Sequence, residues 1–302
     1  MHSLWLIAQL LICLFMGFIF ARRLPRWLEQ CCFKILPYFS YVLLVAIAFE
    51  FSQLLDQIKH PTEILTTSIS IAALTSFGAF LCCYLLFKWA GYLPSSGKVS
   101  SDLVMKSLIN ISYAFVALAA GYLLHICTNH FAIDFNISTW HLLLVFMFLI
   151  GLDLAYTPID RTWLNWKILL VPLGCVIGSL TAAIGYAYYN TDLPVQDLIM
   201  LSQGYGFYSM TGVVVTELRN AELGSIALMN DLFREIFAIL LMYCIGWRYP
   251  RAAISAAGAT AMDVTLPMVK QACGNDFIPH AMVSGCILSV LAPVAVSILA
   301  VI

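Results

Sequence analysis

Two acidic side chains stand where hydrocarbon should surround them. Glu235 closes the run Asn230-Asp231-Leu232-Phe233-Arg234-Glu235 and is followed by Ile236, Phe237, Ala238, Ile239 and Leu240. Asp263 is flanked by Thr260 and Thr265 and stands four residues before Pro267. A charge at the centre of a spanning helix costs roughly 2.5–3.5 kcal/mol on insertion scales, so such groups mark ion or substrate paths. On a helix, Asp231 and Glu235 are four apart and share a face, and Asp231 and Arg234 are neighbours three apart. One reading pairs Asp231 with Arg234 structurally and leaves Glu235 as the functional carboxylate. The other is a purely structural network that glues helices together.

The surroundings of Asp263 suggest a broken helix. Ala256, Ala257, Gly258 and Ala259 precede it, and small residues let helices approach closely. Pro267 lacks a backbone donor and frees the carbonyl near residue 263. An acid at such a break binds a cation or carries a proton. The stretch Gly204-Tyr205-Gly206-Phe207-Tyr208-Ser209-Met210-Thr211-Gly212 alternates glycine with aromatics and hydroxyls. Its glycines permit an unwound backbone. Tyr205, Tyr208, Ser209 and Thr211 offer rings and hydroxyls to an amine, a ring face attracting ammonium. The candidate substrate- and proton-binding set is therefore Glu235, Asp263, Asp231, Asn230, Arg234, Tyr205, Tyr208, Ser209, Thr211, Thr260 and Thr265. Glu50 and Asp153 are further acids in apolar segments, and their reading stays open between function and an interfacial position.

The elements that must position these residues are membrane helices. Of 302 residues, 62% are hydrophobic and 10% charged, against about 25% charged in soluble domains. A net charge of −1 argues against a nucleic-acid partner. A span needs about 20 mostly apolar residues. Such segments run near 4–21, 35–55, 64–87, 106–127, 140–157, 167–188, 196–216, 224–246, 252–271 and 279–301. The expected fold is thus an all-α membrane protein of about ten transmembrane helices. Segment seven is too polar for lipid on all sides, and segment nine carries a charge and a proline. If both are re-entrant, eight spans remain. Ten spans divide into two inverted five-helix repeats, residues 1–160 and 161–302, within one transporter domain. Gly91 to Met105 reads as a loop.

Orientation follows the lysine and arginine bias. The first segment has no basic residue before it and is followed by Arg22, Arg23 and Arg26, which is the reverse of a cleavable signal. It reads as a retained helix with its N-terminus outside. Ten spans then place both termini outside and most basic residues inside, with Lys59, Arg248 and Arg251 outside. The two arginines are on the wrong side for this rule. The ten cysteines show no CxxC or Cys/His metal spacing and read as buried thiols. No Walker loop, GxSxG or HExxH occurs, so ATP drive, serine hydrolysis and bound zinc find no support and no cofactor is expected. Asp231 and Asp263 as an intramembrane protease pair lack the GxGD string of that class.

The chain from Gly204 to Gly212 with Thr216-Glu217, then Asn230-Asp231-Leu232 with Arg234-Glu235, then Gly258 to Pro267 and the last segment from His280 resembles the lysine exporter family of bacterial inner membranes. That family is grouped with bile-acid, arsenite and auxin-efflux-type carriers. The resemblance covers the C-terminal third specifically and the remainder in length and hydropathy. It implies export of L-lysine and toxic lysine analogues from the cytoplasm, with two essential intramembrane acids that fall on Glu235 and Asp263. Glu50 and Asp153 are not part of that pattern. The expected mechanism is lysine/proton antiport by alternating access, with a sodium/proton antiporter of similar fold as the alternative.

Overall fold

The computed structural model describes residues 2–21, 34–35, 38–39, 41–46, 48–49, 52, 61–91, 102–130, 139–156, 166–189, 193–262 and 264–302. Asp263, Glu50 and most of the expected loop after Gly91 lie outside them. The side chain of Asp153 does too. Among the described residues the chain is mostly helical, with no strand. The helices are α1 (His2–Ala21), α2 (Pro61–Trp89), α3 (Asp102–His130), α4 (Thr139–Tyr156) and α5 (Trp166–Tyr189), followed by α6 (Val195–Ser202) and α7 (Tyr208–Leu218). Next come α8 (Ala221–Leu241), which continues as a π turn through Met242–Gly246, and α9 (Pro250–Ala257). A 3-10 turn at Gly258–Met262 leads to α10 (Leu266–Met268) and a π turn at Val269–Cys273, and α11 (Ile278–Val301) closes the chain.

Three of these helices, Glu63–Trp89, Trp166–Tyr189 and Asn275–Val301, are long and apolar enough to cross a membrane. Ile12–Ala21 and Thr139–Leu152 are shorter apolar helices. The side chains are distributed for a lipid solvent. Large apolar groups face outward, among them Phe15 and Ile19 on α1 and Phe77, Leu81 and Leu85 on α2, while Ser68, Thr75 and Ser76 of α2 are buried. The buried hydroxyls tie helices together: Ser68 Oγ reaches Ile226 O at 3.3 Å, and Ser255 Oγ reaches Ala79 O and Val171 O at 3.3 and 3.2 Å. In lipid the hydrophobic effect does not drive helices together, so close backbone packing and such bonds must. Of the described cysteines, all are free thiols; Cys83, Cys175 and Cys273 are buried as expected, whereas Cys127 and Cys244 are exposed.

Helices α2 and α5 pack backbone to backbone at Gly78 and Gly178. A Cβ on Gly178 would stand 2.3 Å from Gly78 O, and one on Gly78 would stand 2.6 Å from Gly178 O. Gly178→Ala is therefore expected to force the helices apart at a cost of about 2 kcal/mol. Gly185→Ala, on the same helix with open space around it, should leave the protein as stable as before or slightly more so. The thermal unfolding midpoints of the two purified variants in detergent check this contrast.

Segment seven does not run through the protein. Its arms, α6 and α7, have 8 and 11 residues, about 12 and 17 Å at 1.5 Å per residue, each about half of a 30 Å hydrocarbon core. Its two ends meet, with Arg219 Nη2 3.7 Å from Asp197 Oδ1. Segment nine behaves alike. Cys273 Sγ lies 4.0 Å from Pro250 O, closing the span from α9 to the last π turn. Both segments, residues 195–218 and 250–273, fold back on themselves as hairpins instead of forming single straight helices. Helix α8 runs between them.

Candidate functional site

The tips of the two hairpins touch. At the first tip the backbone unwinds through Gln203 to Phe207, with Tyr205 at φ 53 and Gly206 at φ 85. At the second, Gly258 takes φ 66 and the chain tightens into the 3-10 turn. Ala259 N donates to Tyr205 O across the junction at 2.9 Å. A Cβ on Gly258 would sit 2.3 Å from that same carbonyl, so only glycine permits both the turn and the contact.

Unwound backbone at membrane depth must find partners inside the protein. Helix α8 supplies them for the first tip. Asp231 Oδ1 accepts from Gly206 N at 3.1 Å and from Asn230 Nδ2 at 3.2 Å. Asn230 Nδ2 also donates to Leu201 O at 3.0 Å, and Arg234 Nη1 donates to Ser202 O at 3.2 Å. Arg234 Nη2 turns to α5, donating to Ser179 Oγ at 2.8 Å and Cys175 Sγ at 3.1 Å. Asn230, Asp231 and Arg234 are all fully buried. Hydrogen bonds to charged groups contribute about 1.5–3 kcal/mol each, so the trio is a strong clasp on the tip. Asp231 and Arg234 do not form an ion pair with each other: one side chain is drawn to the first tip's glycines, the other to α5 and the end of α6. This replaces the ion pair considered from their spacing.

The remaining candidates fall around this junction. The Tyr205 ring is buried and carries the Arg234 guanidinium over its face at 5.7 Å, and its hydroxyl donates to Gln203 Oε1. Gln203 Nε2 donates in turn to Ser202 Oγ at 2.7 Å. Thr211 Oγ1 donates to Phe207 O at 2.9 Å and stands beside the Asp231 carboxylate. Tyr208 and Ser209 are buried in the first turn of α7. At the second tip, Thr260 Oγ1 donates to Ala257 O at 2.9 Å and Thr265 Oγ1 to Thr260 O at 3.0 Å, holding the break on either side of residue 263. Among the described residues no group of three His, Cys, Asp or Glu could hold a metal ion.

Glu235 lies one helical turn beyond Asp231 and is 5% exposed. Tyr41, near the start of the second apolar segment, is within electrostatic range of it and packs edge-on against Tyr113 of α3 at 6.4 Å. Tyr41, Gln203, Ser202, Ser179 and Cys175 were not legible from the chain as members of this neighbourhood. For Gln203 and Ser202 the signal was their place beside the glycine-rich stretch. Tyr41, Ser179 and Cys175 gave none, since tyrosine, serine and cysteine occur throughout the apolar segments.

The family model "Lysine exporter LysO" matches residues 105–300. A protein of Escherichia coli (strain K12), "Lysine exporter LysO", is 34% identical over 157 residues, covering 51% of this chain and 52% of that protein. The chain thus spans about half the length of this relative. A Haemophilus influenzae protein, "Putative lysine exporter", is 30% identical over 187 residues, which cover 61% of this chain and 92% of the relative. No solved structure matches. The matched region holds both hairpins, α8 and every candidate residue above, and the chain belongs to the lysine exporter LysO family.

Proposed function

We propose that the chain is a secondary carrier that exports L-lysine and its analogues from the cytoplasm by proton antiport with alternating access. The observation that carries this is a buried carboxylate, Glu235, one helical turn beyond the Asp231 that holds the first hairpin tip. Asp263 falls by chain position in the second tip, between Met262 and Val264. Lysine presents two ammonium groups and one carboxylate, and stripped of water its amines need anionic or aromatic partners. Glu235 and Asp263, when ionised, bind the ammonium groups. On the outward side they take up protons, which weakens binding and releases lysine, and the protonated carrier returns. The printed names of both relatives support lysine as the substrate. The site of action is the bacterial inner membrane, and the partners are lysine, protons and the bilayer.

The same reading sets the topology at eight spans with two re-entrant hairpins. The hairpin–helix units, residues 195–246 and 250–301, are equal in length and enter from opposite faces, a shorter inverted pair than two sets of five. With hairpin one re-entrant, Arg248 and Arg251 move to the inner face beside Arg22, Arg23, Arg26, Lys34, Lys88, Lys98, Lys106, Arg161, Lys167 and Lys270, leaving Lys59 and Arg219 outside. The wrong-side arginines vanish, and both termini stay outside. An independent contact agrees: Lys88 and Arg248 line one cavity, so they share a face. An impermeant thiol reagent should therefore label Glu222→Cys from outside and Arg248→Cys only from inside, read by mass spectrometry of the labelled peptides. Ten full spans require the reverse.

Proteoliposomes loaded with labelled lysine test the activity. An imposed proton gradient should drive lysine flux many-fold above the ungraded control. Sodium-stimulated proton flux without lysine would identify a cation antiporter instead.

A further inference from the structure

At the Gly246 end of α8, away from the hairpin tips, the ends of α2 and α9 enclose a cavity of about 360 Å³. Among the described residues its lining includes Tyr84, Phe87, Lys88, Arg248, Tyr249 and Arg251, three cations and no carboxylate. Rings hold the cations in place. Lys88 Nζ stands 6.0 Å from the Tyr84 ring and the Arg248 guanidinium 5.6 Å from the Tyr249 ring. The Arg251 guanidinium lies 5.1 Å from both Phe87 and Phe277, and its Nε donates to His280 Nε2 at 3.2 Å. Tyr84 and Tyr249 pack edge to face at 5.0 Å. Aromatic faces orient a cation without neutralising it, so Lys88 and Arg248 keep their positive charge facing the cavity.

We propose that this cavity binds the phosphate of an anionic phospholipid. Arginine and lysine together match phosphate chemistry, arginine through its fork and lysine as a point charge. Its lining shares no residue with the candidate lysine site. Its depth is interfacial: Trp89 at the end of α2 is 88% exposed, and Trp166 at the start of α5 is also exposed, as tryptophans at the headgroup level are. Leu81 and Leu85 on the outer face of α2 are exposed just above it and give acyl chains a wall to lie on. Free phosphate shares the headgroup's charge but gains nothing from that wall. Basic pockets between helices on the inner face are established headgroup sites.

Native mass spectrometry of the full chain in detergent tests this with phosphatidylglycerol, tail-matched phosphatidylcholine and inorganic phosphate. Phosphatidylglycerol should be retained at least tenfold better than phosphatidylcholine. The Lys88→Gln/Arg248→Gln variant should lose that preference while keeping its lipid-free unfolding midpoint, because both side chains are exposed. Lys88→Arg should retain it. Equal retention of the two lipids, or a double variant that holds phosphatidylglycerol as well as the parent, would overturn the proposal. So would millimolar phosphate binding without any lipid preference, which identifies a small-anion site. Lysine flux plays no part in these readouts, so the carrier reading stands or falls separately.

Discussion

Replacing Glu235 with glutamine or Asp263 with asparagine is expected to lower proton-driven lysine flux at least about 100-fold, equal to about 2.7 kcal/mol of lost stabilisation. Each change preserves shape and removes the one property the mechanism requires, a charge that comes and goes. Glu235 is nearly inaccessible, where an ionic contact with ammonium is screened little. Asp231→Asn separates this from a general effect of buried acids. Asp231 already accepts from Gly206 N and Asn230, and an amide oxygen still accepts from one donor. That variant should lose stability first and retain part of its lysine flux. Normal flux in both Glu235→Gln and Asp263→Asn would remove the two acids from the mechanism. Equal loss in all three variants would show that the acids act through structure.

Gly258→Ala is expected to be the most damaging single methyl in the protein. The backbone there, at φ 66 and ψ −127, lies in a region that other residues occupy at a cost of order 1–3 kcal/mol. The added carbon would also meet Tyr205 O at 2.3 Å, and a backbone carbonyl has little room to yield. Together these come to roughly 3 kcal/mol or more, and the Ala259 N to Tyr205 O bond is lost with them. Gly274→Ala is the control, at φ 100 but with nothing within 4 Å, so it bears only the conformational part. The expected order of unfolding midpoints is parent, then Gly274→Ala, then Gly258→Ala well below, with lysine flux absent only in the last. Similar midpoints for the two alanine variants would mean that the tips do not press on one another.

The chain announced its polar residues better than their partners. Asn230, Asp231, Arg234 and Glu235 stand out because polar groups among apolar residues are costly, and the first three lie beside the glycine-rich stretch. Spacing along α8 suggested that Asp231 and Arg234 satisfy each other. Their real partners are Gly206 N and Ser202 O, which lie 25 and 32 residues upstream, and helical periodicity carries no information at that separation. Both hairpins have the length and hydropathy of a span, so a window of about 20 residues cannot tell two short arms from one long helix. The signal that could is Arg248 with Arg251, two basic residues that stand on the wrong side if all ten segments span. Helix bounds were legible to within a few residues wherever the apolar run was long, as in α5, expected at 167–188 and found at Trp166–Tyr189.

The clasp of α8 on the first hairpin has a consequence for biogenesis. When Gly204 to Phe207 leave the ribosome, the groups that will satisfy their backbone have not been made. At 5–20 residues per second, the roughly 30 residues to Arg234 take about 2–6 s. Helix α8 arrives with four buried polar side chains, Asn230, Asp231, Arg234 and Glu235, that burden its own insertion by several kcal/mol. Neither segment is comfortable in lipid alone, and each cancels the other's debt. The hairpin must therefore wait, at the interface or in the translocon, and enter the bilayer together with the helix that follows it.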